Sequence, residues 1–406
     1  MLNNLRRMLK LPAIVLFYLA ATVITGQGFE INRETAATEF GYFKEWEAPL
    51  AYDLSFLFKS GTEGYNTFRI PAIITTTRGT ILAFAEGRKK SSSDAGNIDL
   101  VMKRSEDNGE TWSELQIVWD EDDNTCGNPS PVVDRSTGNI FLLSTWNLGT
   151  DREPEIIKGT SKDTRRVFVL VSADDGKTWT SPKEITDLVK PGNWTWYATG
   201  PCHGIQIENR RYRGRLIIPC DHIESGTEKY YSHVIFSDDH GKTWNPGGTT
   251  PGDQVNECSV AELSNGRLIL NMRNYDRSNH CRMISLSDDG GITWGPVFPD
   301  SVLIEPICQG SLLGFPFKGR TRGSLLFSNP ADEKQRRNLS LRQSFDNGKT
   351  WPGKWVLYPG PAAYSDIALL QEGKVACLFE AGYSSPYEGI VFKKVPINDL
   401  AVNKRE

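Results

Sequence analysis

Three arginines stand inside or beside apolar runs. Arg69 interrupts Phe68-Arg69-Ile70-Pro71-Ala72-Ile73-Ile74, Arg273 follows Leu268-Ile269-Leu270-Asn271-Met272, and the pair Arg336-Arg337 opens Asn338-Leu339-Ser340-Leu341. A guanidinium in such a place either pairs with a carboxylate or points at a ligand. Three of them about 4 Å apart would repel by roughly 4 kcal/mol per pair at an effective dielectric of 20, so a shared site implies an anion between them. The guanidinium fork matches the two oxygens of a carboxylate. Acidic and phenolic groups lie near comparable strand ends: Glu257 in Asn256-Glu257-Cys258, Tyr364 in Ala363-Tyr364-Ser365-Asp366, and Glu380 in Leu378-Phe379-Glu380-Ala381-Gly382. Arg88 leads a polar loop, 89–96, in which Asp94 follows three serines. Taken singly, each also reads as a rim charge, a half-buried tyrosine or an ion-pair partner. For Glu380 the pairing is itself useful, because it neutralises and orients Arg69.

These residues are far apart in the chain, so the fold must gather them. One octapeptide frame, Ser-x-Asp-x-Gly-x-Thr-Trp, occurs five times, starting at Ser105, Ser172, Ser237, Ser287 and Ser344. In it an acceptor side chain precedes a glycine free to take positive φ, the composition of a hairpin turn. The closing Thr and Trp read as the start of the next strand, with the indole packed back over the turn. An EF-hand is the competing reading of an Asp- and Gly-rich turn, but no copy supplies its alternating ligands and distal Glu. Repeats every ~60 residues, the length of a small four-stranded sheet with loops, point to an all-β fold, a β-propeller. Residues 57–396 would hold six blades, one of them without a recognisable turn copy, although the count leaves seven open. Loops at one end of a propeller converge on its axis, where arginines from different blades can meet.

The rest of the chain bounds the problem. With 406 residues, net charge −4, and 38% hydrophobic and 10% aromatic residues, nothing suggests a nucleic-acid partner. In residues 1–27, Arg6, Arg7 and Lys10 precede an apolar run from Leu11 to Ile24 that closes on small residues. That is the layout of a signal peptide and implies export; an uncleaved anchor is the alternative, for which the run is short. Residues 28–56 read as a leader lying over the propeller or partly disordered, and 397–406 as a tail. Seven cysteines without C-x-x-C spacing read as mostly buried free thiols. The five histidines show no metal-ligand spacing, and no cofactor is expected. The acidic run Asp120 to Asp123 reads as a solvated loop before it reads as a cation site.

Phe68-Arg69-Ile70-Pro71 followed by five such boxes resembles the exo-α-sialidases, a family of six-bladed propellers that remove terminal sialic acid from glycoproteins, glycolipids and oligosaccharides. The likeness runs from about Thr67 to Lys393 and is nearest to the lysosomal-type animal sialidase and its bacterial relatives. It is carried further by Thr80-Ile81-Leu82-Ala83-Phe84-Ala85-Glu86-Gly87-Arg88 running on to Asp94, by Ser328-Asn329-Pro330 before Arg336, and by Cys308-Gln309-Gly310-Ser311. The resemblance implies that Arg69, Arg273 and Arg336 grip the sialic acid carboxylate, Arg336 being preferred to Arg337 by its spacing to Leu339 and Ser344. It implies Arg88 as a further substrate contact, Asp94 as acid/base, Tyr364 as nucleophile, Glu257 as its base and Glu380 as the residue steadying Arg69. The partner so implied is a sialylated glycan, with no obligate protein partner. The leader has no counterpart in this pattern.

Tyrosine suits such a substrate. Sialic acid bears a carboxylate on its anomeric carbon, so a carboxylate nucleophile would meet like charge where a neutral phenol does not. A phenol needs a base within reach, the part Glu257 would take. Two other readings share the same residues: a sialic-acid-binding propeller without catalysis, and a transferase that passes the sugar to another glycan. The second depends on acceptor-side aromatics, for which Trp146, Trp194, Trp196 and Tyr197 are candidates.

Overall fold

The computed structural model describes residues 53–317 and 320–397. The expected signal segment, nearly all of the leader and most of the tail lie outside the described residues. The strands are β1 (Phe56–Lys59), β2 (Thr67–Thr75), β3 (Ile81–Arg88), β4 (Ile98–Ser105), β5 (Gln116–Trp119), β6 (Thr125–Val133), β7 (Ile140–Asn147), β8 (Arg166–Ser172), β9 (Lys183–Glu184), β10 (Trp194–Thr199), β11 (Ile205–Gln206) and β12 (Leu216–Glu224). They continue as β13 (Lys229–Ser237), β14 (Asn245–Thr249), β15 (Val255–Glu262), β16 (Leu268–Asn274), β17 (Cys281–Ser287), β18 (Phe298–Ile304), β19 (Ser311–Phe317), β20 (Arg320–Pro330), β21 (Arg337–Ser344), β22 (Gly353–Leu369), β23 (Lys374–Ala381) and β24 (Gly389–Pro396). Two short helices, α1 (Glu153–Ile157) and α2 (Thr186–Val189), interrupt them. The described residues are therefore overwhelmingly β, as expected.

Pairing is antiparallel along β2-β3-β4-β5, β6-β7-β8-β9, β10-β12-β13-β14 and β15-β16-β17-β18. The long β22 serves two runs: its first half completes β19-β20-β21, and its second half starts β22-β23-β24. The outer strand of that last run is β1, where Phe56 pairs with Val391. Neighbouring runs pack through their inner strands, β2 on both β6 and β22, β12 on β6 and β15, and β15 on β19.

All five octapeptides lie between the third and the outer strand of a run. In each, one carboxylate caps its own turn: Asp174 accepts from the Thr178 amide at 2.9 Å, the Thr178 hydroxyl at 2.6 Å and Ser172 Oγ at 2.9 Å. Two consecutive residues take positive φ, Asp175 at 68° and Gly176 at 77°, a conformation that glycine reaches without strain and aspartate tolerates. The last run has no copy because its outer strand arrives from β1, so no hairpin joins its third strand to a fourth.

Two details differ from expectation. The Thr-Trp pair precedes the outer strand instead of opening it, since those strands start at Gln116, Lys183, Asn245, Phe298 and Gly353. The indoles reach into the seam with the preceding sheet: Trp112 meets Phe392 edge-on at 4.9 Å, Trp179 meets Phe84 at 5.8 Å and Trp244 meets Phe141 at 6.1 Å. The apolar core lies in these seams, where Phe84, Leu82 and Met102 of one run pack on Leu142 and Leu170 of the next. Burying a side chain of this size contributes roughly 2 kcal/mol, so the repeat secures sheet to sheet as well as strand to strand.

Candidate active site

The first strand of five runs breaks register near one end, two residues opposing one across the pair. The unmatched residues are Ile70-Pro71 in β2, Asn128-Pro129 in β6, Thr195-Trp196 in β10, Asn256-Glu257 in β15 and Ala363-Tyr364 in β22. A bulge of this kind bends its strand and re-aims side chains. Pro71 has no amide to give the ladder, and Ile70 takes φ 57°, a costly conformation for a β-branched residue. Its amide is held by Glu380 Oε1 at 2.9 Å.

Arg69, Arg88, Asp94, Glu257, Arg273, Arg336 and Tyr364 line one cavity of about 160 Å3 at these bulges. Glu380 lies beneath it, fully buried. Its carboxylate accepts from Arg69 Nε at 3.0 Å, Arg69 Nη2 at 3.3 Å and the Tyr364 amide at 3.2 Å. Removing this carboxylate would take from a buried guanidinium its only buried charge partner among the described residues.

The three arginines converge on one phenol. Arg69 and Arg336 lie over the Tyr364 ring, 5.1 and 5.5 Å from its centroid, and Arg273 Nη1 donates to its hydroxyl oxygen at 2.9 Å. The hydroxyl donates to Glu257 Oε1 at 2.6 Å, and Glu257 Oε2 meets Arg273 Nη1 at 2.5 Å. The bulge in β15 sets this geometry by placing Asn256 and Glu257 across from Arg273. Burial and the Glu257 charge push the Tyr364 pKa well up, against the pull of Arg273 and Arg336. The phenol is therefore held in its protonated form, with Glu257 as its hydrogen-bond acceptor. Arg336 also donates to Tyr387 Oη at 2.8 Å and to the Ile307 carbonyl at 3.1 Å. Its neighbour Arg337 is exposed and lies 4.0 Å from Asp332.

Asp94 sits at the mouth with 62% of its side chain exposed, 2.7 Å from Arg88 Nη1 and 3.5 Å from Arg69 Nη1. Partial desolvation pushes its carboxyl up, but Arg88 and Arg69 outweigh that and hold it below the ordinary value. Arg88 is fixed in turn by Glu86 Oε2, at 2.6 Å from Nη2.

Beneath the phenol, Cys308 packs with Ile70, Ala363 and Tyr364, and burial pushes its thiol up to about 11. Gln309 takes the Ser365 amide on its Oε1 at 3.0 Å and donates to the Ser365 carbonyl at 3.0 Å, clamping the strand that carries Tyr364. All seven cysteines are buried and free. Among the described residues no cluster fits a metal ion, and Asp120 and Asp123 bind Lys89 at 3.4 Å and Lys90 at 3.1 Å.

Of the four candidate aromatics only Trp196 lines the cavity, with the Arg165 guanidinium 4.1 Å above its ring. Trp194 stacks on His222, Tyr197 is fully buried, and Trp146 faces Arg166. Sequence reasoning missed Glu86, Glu153, Arg165, Asp221 and Tyr275, which also line the site. Glu86 had a signal, a charge two residues before Arg88 in an apolar strand; Asp221 in Pro219-Cys220-Asp221-His222 had none.

Comparison with known proteins bears on the same stretch. Residues 79–377 match the BNR repeat-like domain family. The chain is 33% identical over 347 residues to the sialidase of Micromonospora viridifaciens, an alignment that covers 81% of this chain and 52% of the relative. It is 33% identical over 301 residues to the exo-alpha-sialidase of Aspergillus fumigatus, covering 70% of this chain and 69% of that one. The chain thus spans about half the length of the bacterial relative and about two thirds of the fungal one. Among solved structures, the Hadza microbial sialidase Hz136 superposes with a TM-score of 0.77 at 29% identity, covering 85% of this chain and 69% of that one.

Proposed function

This chain belongs to the sialidase family, and from that premise we propose that it is an exo-α-sialidase that hydrolyses terminal α-linked sialic acid with retention, using Tyr364 as nucleophile. The observation that carries this reading is the convergence of Arg69, Arg273 and Arg336 on a phenol whose hydroxyl lies 2.6 Å from a carboxylate. In it the three guanidiniums seat the substrate carboxylate, which supplies the anion their mutual repulsion calls for. Arg88 is a further substrate contact, and Glu380 keeps Arg69 aimed.

Asp94 protonates the glycosidic oxygen as it leaves. Tyr364 Oη bonds to the anomeric carbon while Glu257 takes the phenolic proton, and water deprotonated by Asp94 then displaces tyrosine, whose oxygen regains that proton from Glu257. The fixed positive charges stabilise the transition state without reorganising. Arg88 and Arg69 favour the ionised form of Asp94. Once the substrate carboxylate neutralises the arginines, that pull weakens and the Asp94 pKa rises toward a value suited to proton donation.

The supporting fold is a six-bladed propeller with five Asp-box turns over residues 57–396, each run of four strands being one blade and β1 closing the last. The basic-then-apolar pattern of residues 1–27 favours export. The test is to incubate the purified protein with the sialyllactose isomers, with and without an acceptor glycan, and to follow free sialic acid. Release to water in both cases is expected. Transfer that dominates when acceptor is present would make it a transferase, and binding without release would make it a lectin-like propeller.

A further inference from the structure

The four runs that carry Arg69, Arg273, Arg336 and Tyr364 leave the two runs β6–β9 and β10–β14 facing them across the cavity. On a six-membered sugar ring C5 lies opposite C2, so a sialic acid anchored by the carboxylate on C2 turns its C5 substituent toward that far wall. In most sialic acids this substituent is an acetamido group, whose methyl needs an apolar socket; in others it is a hydroxyl.

The far wall here is polar. Arg165 is 3% exposed, and its hydrogen-bond acceptors are all neutral: Thr145 Oγ1 at 3.2 Å from Nε and 2.8 Å from Nη2, Asn147 Oδ1 at 2.8 Å, and Asn128 Oδ1. These four bonds leave one of its five N–H donors free. Asp221, on β12, is fully buried, and neither carboxylate oxygen has a hydrogen-bond partner. An unpartnered carboxyl of this kind is costly unless a ligand completes it. The apolar groups on this side are Ala198 and the Trp196 ring, which the Arg165 guanidinium covers.

Resting on the hydrolase reading above, we propose that Arg165 and Asp221 select sialic acids bearing a hydroxyl at C5 over those bearing an acetamido group. A hydroxyl accepts from Arg165 and exchanges a hydrogen bond with Asp221, whereas an acetamido methyl is pressed against a charged wall in a cavity of about 160 Å3. Burial together with the negative charges of Glu257 and Glu153 pushes the Asp221 pKa well up, against the pull of Arg165 and Arg273, which agrees with a neutral ligand group as its partner. Burial pulls the Arg165 pKa down, which agrees with a cation that lacks an ion-pair partner.

The test compares 4-methylumbelliferyl α-glycosides of the 5-hydroxy and 5-acetamido sugars, together with calorimetric binding of the two free acids. The 5-hydroxy glycoside is expected to have kcat/KM about tenfold or more above the other, the scale on which a pocket rejects a misfitting group. Equal or better cleavage and binding of the acetamido compounds overturns the inference. Should neither glycoside be cleaved while the 5-hydroxy acid binds more tightly, the selectivity stands and the hydrolase reading falls; if neither binds, both fall. Arg165→Leu should shrink the ratio by about tenfold. Asp221→Asn, which keeps the shape of the side chain, gives the same readout if the leucine variant does not fold. An unchanged ratio in a folded variant refutes the role of that residue.

Discussion

The rim turns and the axial cavity use the same residue types to opposite ends. At the rim Asp174 meets only partners within four positions of itself, all neutral, and the same arrangement recurs at Asp107, Asp239, Asp289 and Asp346. On the axis Glu380 meets Arg69 from 311 positions away, and Tyr364 meets Glu257 from 107. A local cap saturates its charge and has nothing left over for a ligand. The long-range cluster holds Arg336 beside the phenol on neutral partners, the Tyr387 hydroxyl and the Ile307 carbonyl, and that charge is what an anionic substrate can use.

The sharpest way to break this contrast is substitution on each side of it. Tyr364→Phe removes one oxygen and should cut turnover by about 1,000-fold or more while calorimetry shows substrate-analogue binding little changed. Asp94→Ala should behave the same way. Near-normal turnover in Tyr364→Phe would sink the nucleophile assignment.

Glu380→Ala leaves buried Arg69 with only the exposed Asp94, 3.5 Å away, as a charge partner and frees the amides of Ile70 and Tyr364, so stability should fall by roughly 3 kcal/mol in denaturant titration, with activity lost alongside. A variant as stable as the wild type would mean that Glu380 does not hold the cradle.

The acid limb sharpens the contrast in another way. Asp94 must be protonated to act as the acid, so activity falls as pH rises through its pKa. That pKa is depressed in the free enzyme and relieved when substrate neutralises the arginines, hence the alkaline limb of kcat should lie at higher pH than that of kcat/KM. Superimposable limbs would contradict the coupling.

Smallest of all is the rim. The Thr178 and Ser172 hydrogen bonds hold the Asp174 carboxyl down at about 2, so its contribution is present above the ordinary carboxylate pKa and is lost as pH falls below that value through about 2. Because solvent screens this turn, Asp174→Asn should cost less than about 1 kcal/mol at neutral pH and leave kcat/KM unchanged. Loss of activity in that variant would show that rim and axis are coupled.

The same division decided what could be read from the sequence. The turns were legible because their code is complete in eight residues, and the missing sixth copy follows from β1 closing the last run. Register slips at Ile70-Pro71 or Asn256-Glu257 could not be read, since they exist only relative to a partner strand. The indoles misled for a related reason: Trp179 belongs to one turn but packs on Phe84, some 95 positions earlier. Arg69, Arg273 and Arg336 were visible as charges out of place in apolar runs and through the motif around them. Arg165 and Asp221 carry no such mark, because Arg165 lies in the polar stretch Thr164-Arg165-Arg166 leading into β8, and a single polar residue in a strand, such as Asp221, looks alike whether it faces a loop, a neighbour or a cavity.

The most direct measurement of the central claim is to treat the protein with a 2,3-difluorinated sialic acid, whose leaving fluoride permits attack while the second fluorine slows turnover of the adduct. Intact-mass and peptide analysis should then find one sugar attached to the peptide containing Tyr364, with activity lost in proportion. An enzyme that cleaves sialosides yet shows no adduct, or carries it on another residue, would contradict the account.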